Sequence, residues 1–89
     1  MIKHNLENFE FAYFTENNVK AGILRYRYIK DNVIDAYTTR VDEAFQGKGI
    51  AVELYNALIA FAQEKGLKIK PSCSYIDVKM QRSHRDLIA

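Results

Sequence analysis

The chain has 89 residues, 13 basic and 11 acidic, with a net charge of +2, one cysteine and one proline. A lone cysteine rules out an internal disulfide framework and fits a reducing compartment, and near-balanced charge argues against a coat for duplex DNA while leaving room for a local anion site. Hydrophobic residues make up 48% of the sequence, enough for one core in a single domain over residues 1–89.

The first residues, MIKHNLENFE, hold no apolar run of signal-peptide length, and no later stretch is long enough to span a membrane. The expected setting is cytoplasmic. Phe9 to Val41 reads as three strands. In FEFAYF, Phe9, Phe11 and Tyr13 alternate with Glu10, Ala12 and Phe14, and Asn17-Asn18 supplies a turn that tolerates positive φ. Val19 to Lys30 follows, with Arg25 and Arg27 on the face opposite Tyr26 and Tyr28. Aromatic and basic residues on one strand also suit base stacking, but an ordinary amphipathic strand accounts for them, and no nucleic acid partner is expected. After a turn at Asp31-Asn32, Val33 to Val41 completes an antiparallel meander.

The stretch FQGKGIAVELYNALIAFAQEKG contains the main helix, from about Gly49 to Lys65, with Ile50, Leu54, Leu58 and Phe61 on its apolar face. Gly66 suits the residue just past its end. LKIK is a short strand stopped by Pro71, and Ser74 to His84 a second, more polar helix. Strand, helix and strand make a β-α-β unit, so Val33–Val41 and Leu67–Lys70 are expected to run parallel with a right-handed crossover. The fold class is therefore α/β (α+β), an antiparallel meander followed by a β-α-β unit and a short C-terminal helix.

This topology puts Gly47 and Gly49 outside the carboxyl end of a parallel strand, where open α/β sheets bind ligands. A helix N-terminus offers up to four unpaired N–H groups and a partial positive charge, and Lys48 adds a full one. The same residues also suit an ordinary glycine turn. Neither the Gly-to-Gly-Lys-Ser/Thr spacing of a P-loop nor the third glycine of a dinucleotide fingerprint is present.

Gln46-Gly47-Lys48-Gly49-Ile50-Ala51 resembles the Gln/Arg-x-x-Gly-x-Gly/Ala signature of GCN5-related N-acetyltransferases, the GNAT superfamily. The resemblance is closer still to its small single-domain branch, typified by YidJ-like and YjdJ-like proteins. There, Val-Asp-Glu-Ala precedes the signature and Lys-Ile-x-Pro-x-Cys follows the helix; here these are Val41–Ala44 and Lys68–Cys73. The resemblance, close from Val41 to Tyr75, implies a GNAT-like fold with splayed parallel strands that binds acetyl-coenzyme A as co-substrate, without a metal. It implies that the pantetheine arm pairs with the strand end at Val41, and that amides of Gln46, Gly47, Lys48, Gly49, Ile50 and Ala51 hold the pyrophosphate. The thioester then points to Cys73, Ser74 and Tyr75.

Acetylating an amine needs a neutral nucleophile, a donor for the tetrahedral oxyanion and a proton for the departing thiolate. Cys73, near a helix N-terminus with Lys68 and Lys70 in the adjoining strand, is in a setting that favours thiolate; such a thiolate accepts the acetyl group itself, or, as the thiol, Cys73 protonates coenzyme A. Equally, a lone cysteine often only fills space. Tyr75 offers a phenolic proton, though tyrosines commonly serve packing. Ser72 and Ser74 also suit the cap of the last helix.

Many relatives carry His-Thr-Glu-Val where this chain has Thr38-Thr39-Arg40-Val41, so a histidine and an acid are missing. Asp42 and Glu43 fit the helix macrodipole better than base catalysis. His84 reads as a surface residue at a helix end, and with His4 and Cys73 it makes no zinc spacing. Larger superfamily members wall the acceptor site with helices where Asn17-Asn18 leaves room only for a turn. An open acceptor side suits a bulky amine acceptor, such as a protein lysine, or a coenzyme A-binding module with little turnover.

Overall fold

In a computed structural model, which describes residues 1–89, the sheet starts earlier than the residue pattern suggests. Ile2–Asn5 forms β1, antiparallel to β2 at Glu10–Phe14. Four residues, IKHN, with only Ile2 and His4 partly buried, carry too little alternation to read as a strand. Phe9 lies outside β2: its φ of 53° places it in the preceding turn. The remaining strands are β3 at Lys20–Lys30, β4 at Val33–Val41 and β5 at Lys68–Lys70, in spatial order β1-β2-β3-β4-β5. All neighbours are antiparallel except β4 and β5, the parallel pair that the β-α-β reading anticipated.

Helix α1, Ile50–Lys65, buries Ile50, Leu54, Tyr55, Leu58, Ile59 and Ala62, and it ends where Gly66 at φ 66° turns the chain and Leu67 N–H donates to the Ala62 carbonyl at 2.8 Å. Helix α2, Ser74–Ser83, adds Ile76 and Met80 to the same core, which joins Leu24, Ile34 and Ile69 of the sheet. Both helices therefore cover one face. The opposite face carries no helix and stays open, as antiparallel sheets allow. Neither helix is long and apolar enough to cross a membrane.

Two details set the mouth of α1. A Cβ on Gly22 in β3 would meet Ile50 Cγ2 at 2.9 Å and Leu54 Cδ1 at 3.3 Å, so glycine there lets the first turns of α1 settle against the strand. Then β4 and β5 part company. They pair only at Val33–Asp35 with Lys68–Lys70, the Cys73 N–H to Ala36 carbonyl bond at 3.0 Å is the last link, and Tyr37–Val41 continue without a β5 neighbour. Pro71 has no N–H with which to extend the ladder. On the other strand, pairing with β3 jumps from Thr38 to Ala36, so Tyr37 is the extra residue of a bulge that bends β4.

Candidate functional site

The gap between β4 and β5 is the first part of the site. Asp42 N–H donates to the Ala21 carbonyl at 2.8 Å, and hydrogen-bonded pairs alternate along an antiparallel ladder. Arg40 and Thr38 thus spend their backbone groups on β3, and Thr39 and Val41 point theirs into the gap. The Val41 carbonyl accepts a bond from Gln46 Nε2 at 3.3 Å, which leaves the Val41 N–H facing the gap.

The turn that follows is built by side-chain capping and glycine. Asp42 Oδ1 accepts from Ala44 N–H at 3.1 Å and closes a 3-10 turn at Glu43–Phe45. Gly47 and Gly49 then adopt φ of 80° and 79°, the left-handed region open to glycine at little cost. A Cβ at either position would touch nothing within 4 Å, so it is backbone conformation, not crowding, that calls for glycine here. The N–H groups from Gly47 through Val52 donate to no protein acceptor. Gln46 differs, because its N–H is given to the Glu43 carbonyl at 3.4 Å. A pocket of about 260 Å³ lies here, walled by Val41, Phe45, Gln46, Gly47, Gly49 and Ile50. Lys48 is exposed beside it.

The second part of the site sits where β5 gives way to α2. Cys73 is half-buried at the cap position of α2, and its Sγ lies 3.5 Å from Thr39 Oγ1. Neither Ser72 nor Ser74 caps the helix, since that position falls to Cys73, without a side-chain bond. Burial, and then the neighbouring Cys73, push the Tyr75 phenol above its usual range, so it keeps its proton as a donor. Tyr55 on α1 is raised too, by burial first and Tyr75 second, and its hydroxyl lies 2.6 Å from His84 Nδ1.

Two sequence expectations change here. Lys68 and Lys70 flank buried Ile69 and so face away from the helices, and the Lys68 ammonium reaches the Asp86 carbonyl. Neither supports the Cys73 thiol. His84 is not a free surface residue; it is half-buried and bonded to Tyr55 across 29 positions of chain. The sequence reading also missed Tyr55 and Thr39. Only the alternation of KIK, which sends Ile69 inward, carried a local signal for any of this.

The aromatic-basic pattern of β3 also resolves. Tyr26 is 1% exposed, and Tyr28 packs edge-on to Phe9 and Tyr26, so these rings do not share a face with Arg25 and Arg27. A larger depression, about 450 Å³, lies by the far edge strand between Ile2, His4, Phe11 and Phe61. His4 there stacks on Phe11 at 3.9 Å and bonds the Tyr26 hydroxyl at 2.6 Å. This depression holds no thiol and lies along the last turns of α1, whereas the smaller pocket lies at the glycine turn that opens α1.

Comparison with known proteins agrees with this geometry. The profile of the family described as GCN5-related N-acetyl-transferase matches residues 9–87. Protein NATD1 of Xenopus tropicalis is 31% identical over 75 residues, which cover 84% of this chain and 69% of that protein. The solution structure of a GCN5-like protein from Staphylococcus aureus superimposes with a TM-score of 0.75 at 28% identity, covering 100% of this chain and 87% of that one. A GNAT family acetyltransferase from Elizabethkingia anophelis, solved with acetyl-CoA bound, shares the fold at a TM-score of 0.62 and 20% identity, over 84% of this chain and 51% of that one. With the family profile matched over most of its length, the chain belongs to the GCN5-related N-acetyltransferase family.

Proposed function

We propose that this protein binds acetyl-coenzyme A and transfers the acetyl group to an amine. The observation that carries the proposal is the unbroken run of unpartnered amides from Gly47 to Val52 at the end of an unpaired strand edge. Those amides suit a pyrophosphate at a helix N-terminus, and Lys48 adds a nearby charge. The edge at Thr39 and Val41 suits the amide groups of a pantetheine arm, and its far end is at Cys73, Ser74 and Tyr75. Membership of the YidJ-like and YjdJ-like branch rests on the Val41–Ala44 and Lys68–Cys73 motifs. A cytoplasmic setting, expected from the lone cysteine, belongs to the same reading.

In the direct reaction the amine attacks the thioester carbon and coenzyme A leaves as a thiolate. Tyr75, which holds its proton, supplies it to that sulfur, and the proton that the nitrogen sheds as the amide forms restores the phenol. In the two-step alternative Cys73 attacks first, releases coenzyme A, and passes the acetyl group to the amine. Intact mass after incubation with acetyl-coenzyme A separates the routes, because only the second leaves an acetyl group on Cys73. Titration calorimetry tests the binding claim, and no binding at about 1 mM ligand, a weak affinity by any standard, would overturn it.

A second reading, a coenzyme A-binding module without turnover, is favoured by the Asp42 carboxylate being committed to its turn and by Arg40 standing where relatives carry an acid. Steady acetyl transfer to any amine removes that reading.

A further inference from the structure

The open face of the sheet carries a concentration of positive charge. Strand registers place Arg25 and Arg27 of β3, Arg40 of β4, and Lys68 and Lys70 of β5 on the side away from the helices. In a chain of net charge +2 this is a marked local excess. Three carboxylates lie on or beside this face: Glu10 pairs with Lys20 at 2.9 Å, Asp35, 2% exposed, pairs with Arg27 at 3.3 Å through one oxygen while the other is buried without a partner, and Asp42, in the same depression as Arg40, caps its own turn, so the cations remain in excess. Arg25, Arg40 and Lys70 have no ion-pair partner, and Arg25 Nε is buried without an acceptor. Arg40 lies on the stretch of β4 that β5 has left, and Lys70 is the last residue of β5 before the strands part. These two cations flank the gap on the open side.

We infer that this face docks an acidic polypeptide segment and presents one of its lysines to the gap; the inference rests on the acetyltransferase reading above. Unpaired cations around a reaction mouth attract carboxylates and repel polycations, raising the local concentration of acidic partners about 10- to 1000-fold in favourable cases. Single-stranded nucleic acid fits less well, because the rings on this face are already covered by cations. Arg27 lies over Tyr37 at 5.4 Å and Lys3 over Phe14 at 5.1 Å, and base stacking needs a free ring. A second copy meeting through this face would bring like charge.

Fluorescence anisotropy with two labelled peptides tests the inference, one with a central lysine flanked by glutamates and one with the same lysine flanked by arginines. The acidic peptide is expected to bind at least tenfold more tightly, with a difference that shrinks as salt rises. A double variant, Arg40→Glu with Lys70→Glu, is expected to abolish or reverse the preference. Arg82→Glu, the same type of charge change on exposed α2, is expected to leave it intact. Equal binding of the two peptides, binding of neither, or tighter binding of a single-stranded oligonucleotide than of the acidic peptide would each overturn it. Coenzyme A binding measured on the same samples distinguishes the failures: its loss indicts the transferase reading, whereas intact coenzyme A binding without peptide preference indicts the docking face alone.

Discussion

The hydroxyl of Tyr55 and Nδ1 of His84 lie 2.6 Å apart, so a buried residue of α1 holds the far end of α2, the helix that Cys73 precedes as its cap residue. Removing either partner strands the other, half-buried, without its hydrogen bond. Tyr55→Phe should therefore cost about 1–2 kcal/mol of stability. Urea unfolding measures this directly. In a domain of this size each kcal/mol lowers Tm by about 4–8 °C. Coenzyme A affinity should stay close to that of the parent protein while acetyl transfer falls, because the pyrophosphate site is at the other end of the gap.

Gly49 offers a sharper test of the anion site than a bulky residue would. At φ 79° a valine is strained by at least about 1–2 kcal/mol, so lost binding in Gly49→Val would confuse fold with site. Asparagine tolerates the left-handed region, and nothing within 4 Å of its Cβ would clash. Gly49→Asn should unfold within about 1 kcal/mol of the parent yet bind coenzyme A at least tenfold more weakly, about 1.4 kcal/mol, because the side chain narrows the approach to the amides. Unchanged affinity in a folded Gly49→Asn protein would return these glycines to an ordinary turn.

Gly22→Ala should do the reverse and act first on stability. Its Cβ would fall 2.9 Å from Ile50 Cγ2 and 3.3 Å from the Arg40 carbonyl, between a helix and a strand that both resist displacement. Overpacking of this kind costs about 1–3 kcal/mol. The displaced element would be the start of α1, so coenzyme A affinity should fall alongside. Equal stability of the alanine variant in urea would show that α1 is less tightly seated than the contacts imply.

The His4 cluster predicts an acid-sensitive term in stability. Burial lowers the His4 pKa below 6.5, so the folded state binds its proton less readily than the unfolded state does. Stability from this group is fully present above pH 6.5 and is lost as pH falls through the lowered folded value. At the alkaline end its partner Tyr26, pushed up to about 12 by burial and by Tyr28, keeps its proton, and that stabilisation is lost as pH rises from 10 towards 12. Unfolding midpoints taken between pH 8 and pH 5 should decline, and a His4→Gln variant should flatten the acid part of the slope. An unchanged slope in that variant would assign the acid sensitivity elsewhere.

Local patterns made part of this molecule readable. The turns at Asn17-Asn18 and Asp31-Asn32, the stop at Gly66 and the crossover from β4 through α1 to β5 follow from residue chemistry confined to a few positions. The glycine turn was legible for the same reason, as two αL positions leave a mark in the sequence. By contrast, β1 gains its strand identity from pairing with β2, and IKHN by itself has too few apolar positions to announce it. The bond between Tyr55 and His84 depends on how two helices meet, which no local periodicity encodes. Lys68 and Lys70 were misassigned to the thiol because nearness in sequence was taken for nearness in space, when a strand sends neighbours to opposite faces.

The departure of β5 from β4 leaves a strand edge unpaired only over Tyr37–Val41, with β5 closing the rest. Exposed edges recruit other chains and are a common start of aggregation. Here an intruding strand would find backbone groups only at Thr39 and Val41, since the two strands rejoin at Asp35 and Lys70. So few hydrogen bonds do not offset an ordering cost of about 1–2 kcal/mol for each residue fixed. The protein thus keeps a hydrogen-bonding edge that a slender ligand can use and a neighbouring chain cannot, which separates ligand capture from self-association.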